Sequence, residues 1–162
     1  SMLLAYWQAR TADPALLPFA ERRAVAEIAT PQVYDPAYDG HGNWPFNTAL
    51  AGGLGLDAYV ARFASLAELV PWLEAGVPLA ISAAWEPGTL DNAPIPRSLG
   101  HLLVLAGCDG AGHAIVADPR GNTEAEVRRL YDAAQLERAW QDKPSGTAYV
   151  IHPRGWPVPA LA

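Results

Sequence analysis

Apolar and polar positions follow two different rhythms along the chain. In MLLAYWQAR (residues 2–10), Leu3, Leu4 and Trp7 fall at helical spacing with no β-branched residue among them, which predicts a helix. Asp13-Pro14 supplies a cap and a first-turn proline for a second helix, expected to run through Ala24 to Ile28 and to stop at Thr30-Pro31. DPAYDGHGN (35–43) reads as loop. Asn43-Trp44-Pro45 then caps and opens a helix over PFNTALAGG, which Gly52 and Gly53 stop.

Beyond Gly53 the period shortens. The pattern predicts a strand near 58–63, a helix over 66–74 capped by Ser65, a strand over PLAISAAW (78–85), and a polar loop over 86–99 holding three prolines. Strand-like runs at 101–106 and 114–118 flank Asp109-Gly110, a strong reversal signal. A strand near 127–131, a helix over 133–140 and a strand over 147–152 complete the pattern, and GWPVPALA reads as a loosely held tail. Helices first and strands afterwards predict an α+β fold, with N-terminal helices packed on a mainly antiparallel sheet. One domain is expected over 1–154 and a tail over 155–162.

Composition narrows the classes. The chain has 162 residues, 51% hydrophobic and 17% charged, enough to build an apolar core and too apolar for disorder. Net charge is −6 and the basic residues are scattered, with adjacent pairs at Arg22-Arg23 and Arg128-Arg129, so no positive face for nucleic acid is expected. No apolar run reaches the roughly 18 residues of a membrane span. No signal peptide opens the chain, and the compartment stays open. The single cysteine, Cys108, excludes an internal disulfide and a cysteine-rich zinc site.

Candidate chemistry sits in the predicted hairpin, SLGHLLVLAGCDGAGHAIVADPRG (98–121), where His101 heads one strand and Asp118 ends the next. A two-residue loop sets the two directly opposite, with Cβ atoms about 4.5–5.5 Å apart. A four-residue loop sets Asp118 opposite Leu103, one diagonal step from His101 and on the same face. A three-residue loop without a compensating bulge would send the two side chains to opposite faces. A carboxylate beside an imidazole accepts its N–H and fixes its tautomer, leaving the other nitrogen to exchange a proton with a nucleophile. The same pair also serves as an ordinary cross-strand contact that stabilises a hairpin, and the pattern leaves both readings open.

GNWPFNTALAG (42–52), GLDAYVARFASLAELVPWLEAGVPLAIS (55–82), GHLLVLAG (100–107) and ADPRG (117–121) resemble the bacteriocin-processing, double-glycine leader peptidase-like cysteine peptidases. The resemblance covers most of the chain and implies a papain-like fold acting on a peptide or protein substrate, with no cofactor. By it, His101 is the general base and Asp118 the residue that orients it. It places the nucleophilic cysteine about two turns ahead of MLLAYW, at a helix N-terminus whose partial positive charge lowers a thiol's pKa. That position lies outside the chain as given. A start placed too late, a shortened piece and a natural pseudoenzyme all fit. The resemblance therefore implies either a peptidase domain whose cysteine lies elsewhere, or a catalytically inactive papain-like module that binds a peptide or protein partner.

Other residues carry less. Cys108 lies seven positions from His101 on the same strand, about 23 Å at the usual rise, too far to serve as its nucleophile. Ser1 is an equally poor nucleophile. His41, His101, His113 and Asp118 do not fall at metal-ligand spacing, so no metal is expected. His113 is expected beside the turn and His152 at a strand end. Trp72, Trp85 and Trp140 read as core, whereas Trp44, after a Gly-rich loop, is a candidate for substrate contact. Asp91 and Arg97 precede His101 in a loop, where substrate contacts often arise.

Overall fold

A computed structural model describes residues 1–21, 25–37 and 39–161. Arg22, Arg23 and Ala24 lie outside them, and with these the middle of the predicted second helix. The elements are α1 (Met2–Thr11), α2 (Thr30–Gln32), α3 (Trp44–Gly53), β1 (Leu56–Arg62), α4 (Val70–Glu74), β2 (Leu79–Trp85), β3 (Ser98–Cys108), β4 (His113–Ala117), α5 (Glu124–Val127), β5 (Arg128–Asp132), α6 (Ala133–Gln141) and β6 (Thr147–Pro153). The strands join one six-stranded sheet in the order β1-β6-β2-β3-β4-β5. The β2–β3, β3–β4 and β4–β5 pairs are antiparallel. The architecture is thus the expected mixture of helices with an antiparallel sheet.

The chain divides into two compact units. Ser1–Val60 with Tyr149–Trp156 forms the first, and Ala61–Ala148 with Pro157–Ala162 the second. In the first, α1 buries Leu3, Leu4 and Trp7, the residues its periodicity marks. The Trp7 indole donates to the Ile151 carbonyl at 2.7 Å, so burying the ring leaves no polar atom without a partner. Trp156 packs edge-on against Trp7 with ring centroids 5.0 Å apart, which ties the start of the expected tail to this core.

The second helix departs from expectation. Asp13 caps as predicted, accepting from the Ala15 N–H at 2.9 Å, but the segment it caps, Pro14–Phe19, is 3₁₀ and holds Pro18 inside it. A proline there removes a donor and crowds the preceding turn, so a long α-helix cannot run through. A wide turn over Val25–Ala29 leads into α2, and Pro31 sits in its first turn instead of ending a helix. The segment after Ser65 also differs: Leu66–Leu69 is 3₁₀ and only Val70–Glu74 is α-helical, with no cap bond from the Ser65 side chain. Glu137 Oε2 takes the Leu66 N–H instead, at 2.6 Å, an acceptor too distant in sequence to foresee.

In the second unit β2 is buried along nearly its whole length, as befits a strand with neighbours on both sides. Leu79, Ile81 and Ala83 alternate onto one face, opposite Leu105, Leu103 and His101 of β3. Helix α6 buries Leu136, Ala139 and Trp140 and is capped by Asp132, which accepts from the Gln135 N–H. α5, whose first turn Thr123 caps, lies outside the elements that hydrophobic periodicity predicts.

Candidate functional site

The hairpin of β3 and β4 decides whether His101 and Asp118 meet. Asp109 pairs with His113 through an N–H to carbonyl bond of 3.1 Å, leaving Gly110, Ala111 and Gly112 as a three-residue loop. Both glycines take positive φ, and Asp109 Oδ1 accepts from the N–H groups of Ala111 and His113. Alone, that loop would put His101 and Asp118 on opposite faces. A shift of register between Leu105 and Gly107 returns them to one face: Cys108 pairs with Ala114, but Leu105 pairs with Val116 and Val104 with Ala117. His101 therefore shares the buried face of Leu103 and Leu105, and the next residue after β4 falls diagonally across from it.

Asp118 continues the chain just past β4, its N–H bonded to the Val127 carbonyl at 2.8 Å. Its side chain is wholly buried, whereas that of His101 keeps 13% exposure. His101 Nε2 lies 2.8 Å from Asp118 Oδ1. A buried carboxylate with other donors around it acts as acceptor, so Nε2 carries the proton and donates. Oδ1 also accepts from the Arg120 N–H at 2.9 Å, and Oδ2 accepts from the Tyr131 hydroxyl at 2.8 Å. Burial acts to raise the Asp118 pKa, but the hydrogen bonds from His101, Arg120 and Tyr131 outweigh it and hold the carboxyl below its ordinary value. Tyr131, fully buried, is pushed the other way, above the usual phenol range, by burial first and then by the carboxylate.

His101 Nδ1 has no hydrogen-bond partner among the described residues, and it is not among their buried unpartnered atoms, so it opens to solvent. Trp85 packs against the imidazole with ring centroids 5.6 Å apart and planes at 78°, its indole N–H held by the Ile95 carbonyl at 3.1 Å. One ring nitrogen is thus fixed by a buried charge, one edge is covered by an aromatic ring, and the second nitrogen is left available. Such an imidazole can accept a proton at Nδ1 while Asp118 stabilises the resulting cation.

The remaining candidates fall elsewhere. Cys108 is exposed at the opposite end of β3, and partial burial together with Asp109 raises its thiol pKa, so little thiolate forms there. His113 is bound to Asp109 at the turn, 2.8 Å from Oδ2. His41 is exposed beside Tyr34. His152 ends β6 as expected but is buried; its Nδ1 faces the Pro153 carbonyl, and Nε2 has no partner among the described residues. Among the described residues, no three His, Cys, Asp or Glu side chains group as a metal would require. Asp91 is bonded to Gln135 of α6, and Arg97 pairs with Glu86.

Trp44 belongs to the first unit. It opens α3, packs edge-on to Tyr149 at 6.4 Å and lines a cavity of about 320 Å³ with Gly42, Asn43 and Pro45. Asn43, just before it, donates its amide to Asp35 Oδ2, and Tyr149 donates to the Gly42 carbonyl.

Two residues that sequence reasoning left out of the site surround the pair: Trp85, read there as core, and Tyr131, on a strand whose pairing partner in β4 is Ala114. Nothing local in the sequence marks Tyr131, because its contact with Asp118 depends on where β5 is laid against β4.

No helix among the described residues is long and apolar enough to cross a membrane. No curated protein matches the sequence. Among solved structures, the chain is similar to a crystal structure described as a C39-like peptidase from Bacillus anthracis, with a TM-score of 0.50 and 19% identity. The match covers 68% of this chain and 60% of the other, and it supports the fold alone. A model of the Peptidase_C39 like family matches residues 1–145, nearly the whole chain, so the protein belongs to that family.

Proposed function

We propose that this chain carries the general-base half of a papain-like cysteine peptidase site, with His101 as base and Asp118 as the residue that orients it. The observation that carries this reading is the 2.8 Å bond from His101 Nε2 to a buried carboxylate, with Nδ1 left open. The nucleophile is a cysteine thiol from outside residues 1–162, since Cys108 stands at the far end of β3 with a raised pKa.

In this mechanism His101 Nδ1 takes the thiol proton as sulfur attacks the substrate carbonyl. The C–N bond of the peptide then breaks, the imidazolium returns the proton to the leaving amine, and the acyl group remains as a thioester. Water, deprotonated by the same nitrogen, hydrolyses the thioester and restores the thiol. The substrate is a peptide, the class of molecule on which a peptidase-like family acts. The finer expectation is processing of a double-glycine leader.

The test is labelling of the natural gene product by a thiol-directed probe in a Cys108→Ser background, with and without His101→Ala. Labelling that depends on His101 supports the peptidase reading, and cleavage of a double-glycine leader peptide supports the finer one. Absent or His101-independent labelling overturns it in favour of a catalytically inactive module that binds a peptide or protein partner. One observation favours that second reading for residues 1–162 as they stand: their single cysteine is Cys108.

A further inference from the structure

The Asp118 carboxylate is held from three directions, and one of them comes from a strand no motif marks. Oδ1 receives the His101 ring N–H and the Arg120 backbone N–H, whereas Oδ2 receives only the Tyr131 hydroxyl among the described residues. A carboxylate rotates readily about its last torsion, whose preferences are broad and two-fold. Donors on Oδ1 alone would leave that rotation loosely determined. A donor on Oδ2 fixes the plane of the group and thereby the direction in which Oδ1 faces the imidazole.

We infer that Tyr131 is a positioning residue: through Asp118 it locks His101 in the tautomer protonated at Nε2, with Nδ1 kept free to take a proton. The inference rests on the reading of His101 as the base and deepens it. Burial makes the lock consequential. Neither Tyr131 nor the Asp118 side chain reaches solvent, so no water can replace the hydroxyl if it is removed. Without it the carboxylate must either turn toward another donor or take up a proton, and each outcome weakens the bond to Nε2. The linkage runs across neighbouring strands, from Tyr131 on β5 through Asp118 beyond β4 to His101 on β3, so it forms only when all three are paired.

The test is imidazole ¹⁵N NMR on the chain of residues 1–162. The wild type is expected to show one set of His101 shifts, with Nε2 protonated and Nδ1 not. Tyr131→Phe keeps the ring and removes the hydroxyl. It is expected to give mixed tautomer shifts and exchange of the Nε2 proton about fivefold faster, the factor that one net hydrogen bond supplies. A Tyr131→Phe protein with unchanged tautomer and unchanged exchange overturns the inference. Should that variant fail to fold, the wild type decides: a slowly exchanging Tyr131 hydroxyl proton supports the lock, and a freely exchanging one overturns it. The two readings fail separately. Labelling that ignores His101 removes the peptidase reading while the tautomer result stands. His101-dependent labelling with an unaltered Tyr131→Phe spectrum removes only the lock.

Discussion

Removing the Asp118 carboxylate should cost more stability than removing the imidazole it holds. Asp118→Ala leaves the Tyr131 hydroxyl without its acceptor in a place solvent does not reach, and it strands the His101 Nε2–H, whose side chain is only 13% exposed. A buried donor left unpaired costs about 1–3 kcal/mol. The Arg120 N–H, which also bonds Oδ1, is left out of this sum. Taking the tyrosine at about 2 kcal/mol and the partly wetted histidine at about half of that gives about 3 kcal/mol. His101→Ala is different: the carboxylate keeps Tyr131 and Arg120 as donors, and the vacated space is open enough for water to replace the ring N–H. The expected cost is about 1 kcal/mol. At about 2–4 °C per kcal/mol for a chain of this size, Asp118→Ala should lower Tm by about 6–12 °C and His101→Ala by about 2–4 °C. Thermal melts at pH 7, checked by urea unfolding, measure both. Equal losses, or the larger loss for His101→Ala, would refute the reasoning, because the hydrogen bonds would then not be centred on the carboxylate.

Stability should also fall at both ends of the pH scale. Asp118 is held below its ordinary pKa, so its contribution is complete above about pH 4, where the unfolded carboxyl ionises, and is lost as pH falls through the folded value. Acid melts of Asp118→Asn should accordingly lack part of the wild-type slope. Tyr131 is raised and Tyr149, mainly by burial, is pushed up to about 12, so stability present below about pH 10 is lost as pH climbs beyond it. Tyr149→Phe should flatten that alkaline loss, and an unchanged curve would contradict the burial argument. Cys108 should react with a disulfide reagent at pH 8 more slowly than free cysteine despite its exposure, and Cys108→Ser should shift stability by less than about 0.5 kcal/mol. Gly146 holds φ at +66°, and a Cβ there would strike the Phe63 carbonyl oxygen. Gly146→Ala should therefore cost more than about 2 kcal/mol by urea unfolding, and a neutral result would mean that this turn yields easily.

What the sequence determined by itself is local. Leu3, Leu4 and Trp7 announce α1, short apolar runs announce β2, β3, β4 and β6, and Asp109-Gly110 announces the reversal, because side-chain periodicity and turn chemistry act over a few residues. His101 and Asp118 were legible as candidates for the same reason. Whether they would meet was not, since the three-residue loop alone turns them apart and only the register shift near Ala106 brings them back to one face. Local propensity misjudged the segments after Asp13 and Ser65, where Pro18 and the distant Glu137 decided the geometry. Tertiary structure alone supplied Tyr131 and the contact of Trp85 with His101, for the lateral order of strands places residues from separate stretches within one hydrogen bond or ring contact of each other. Periodicity tells which face of a strand is buried; it carries no information about which strand will lie beside it.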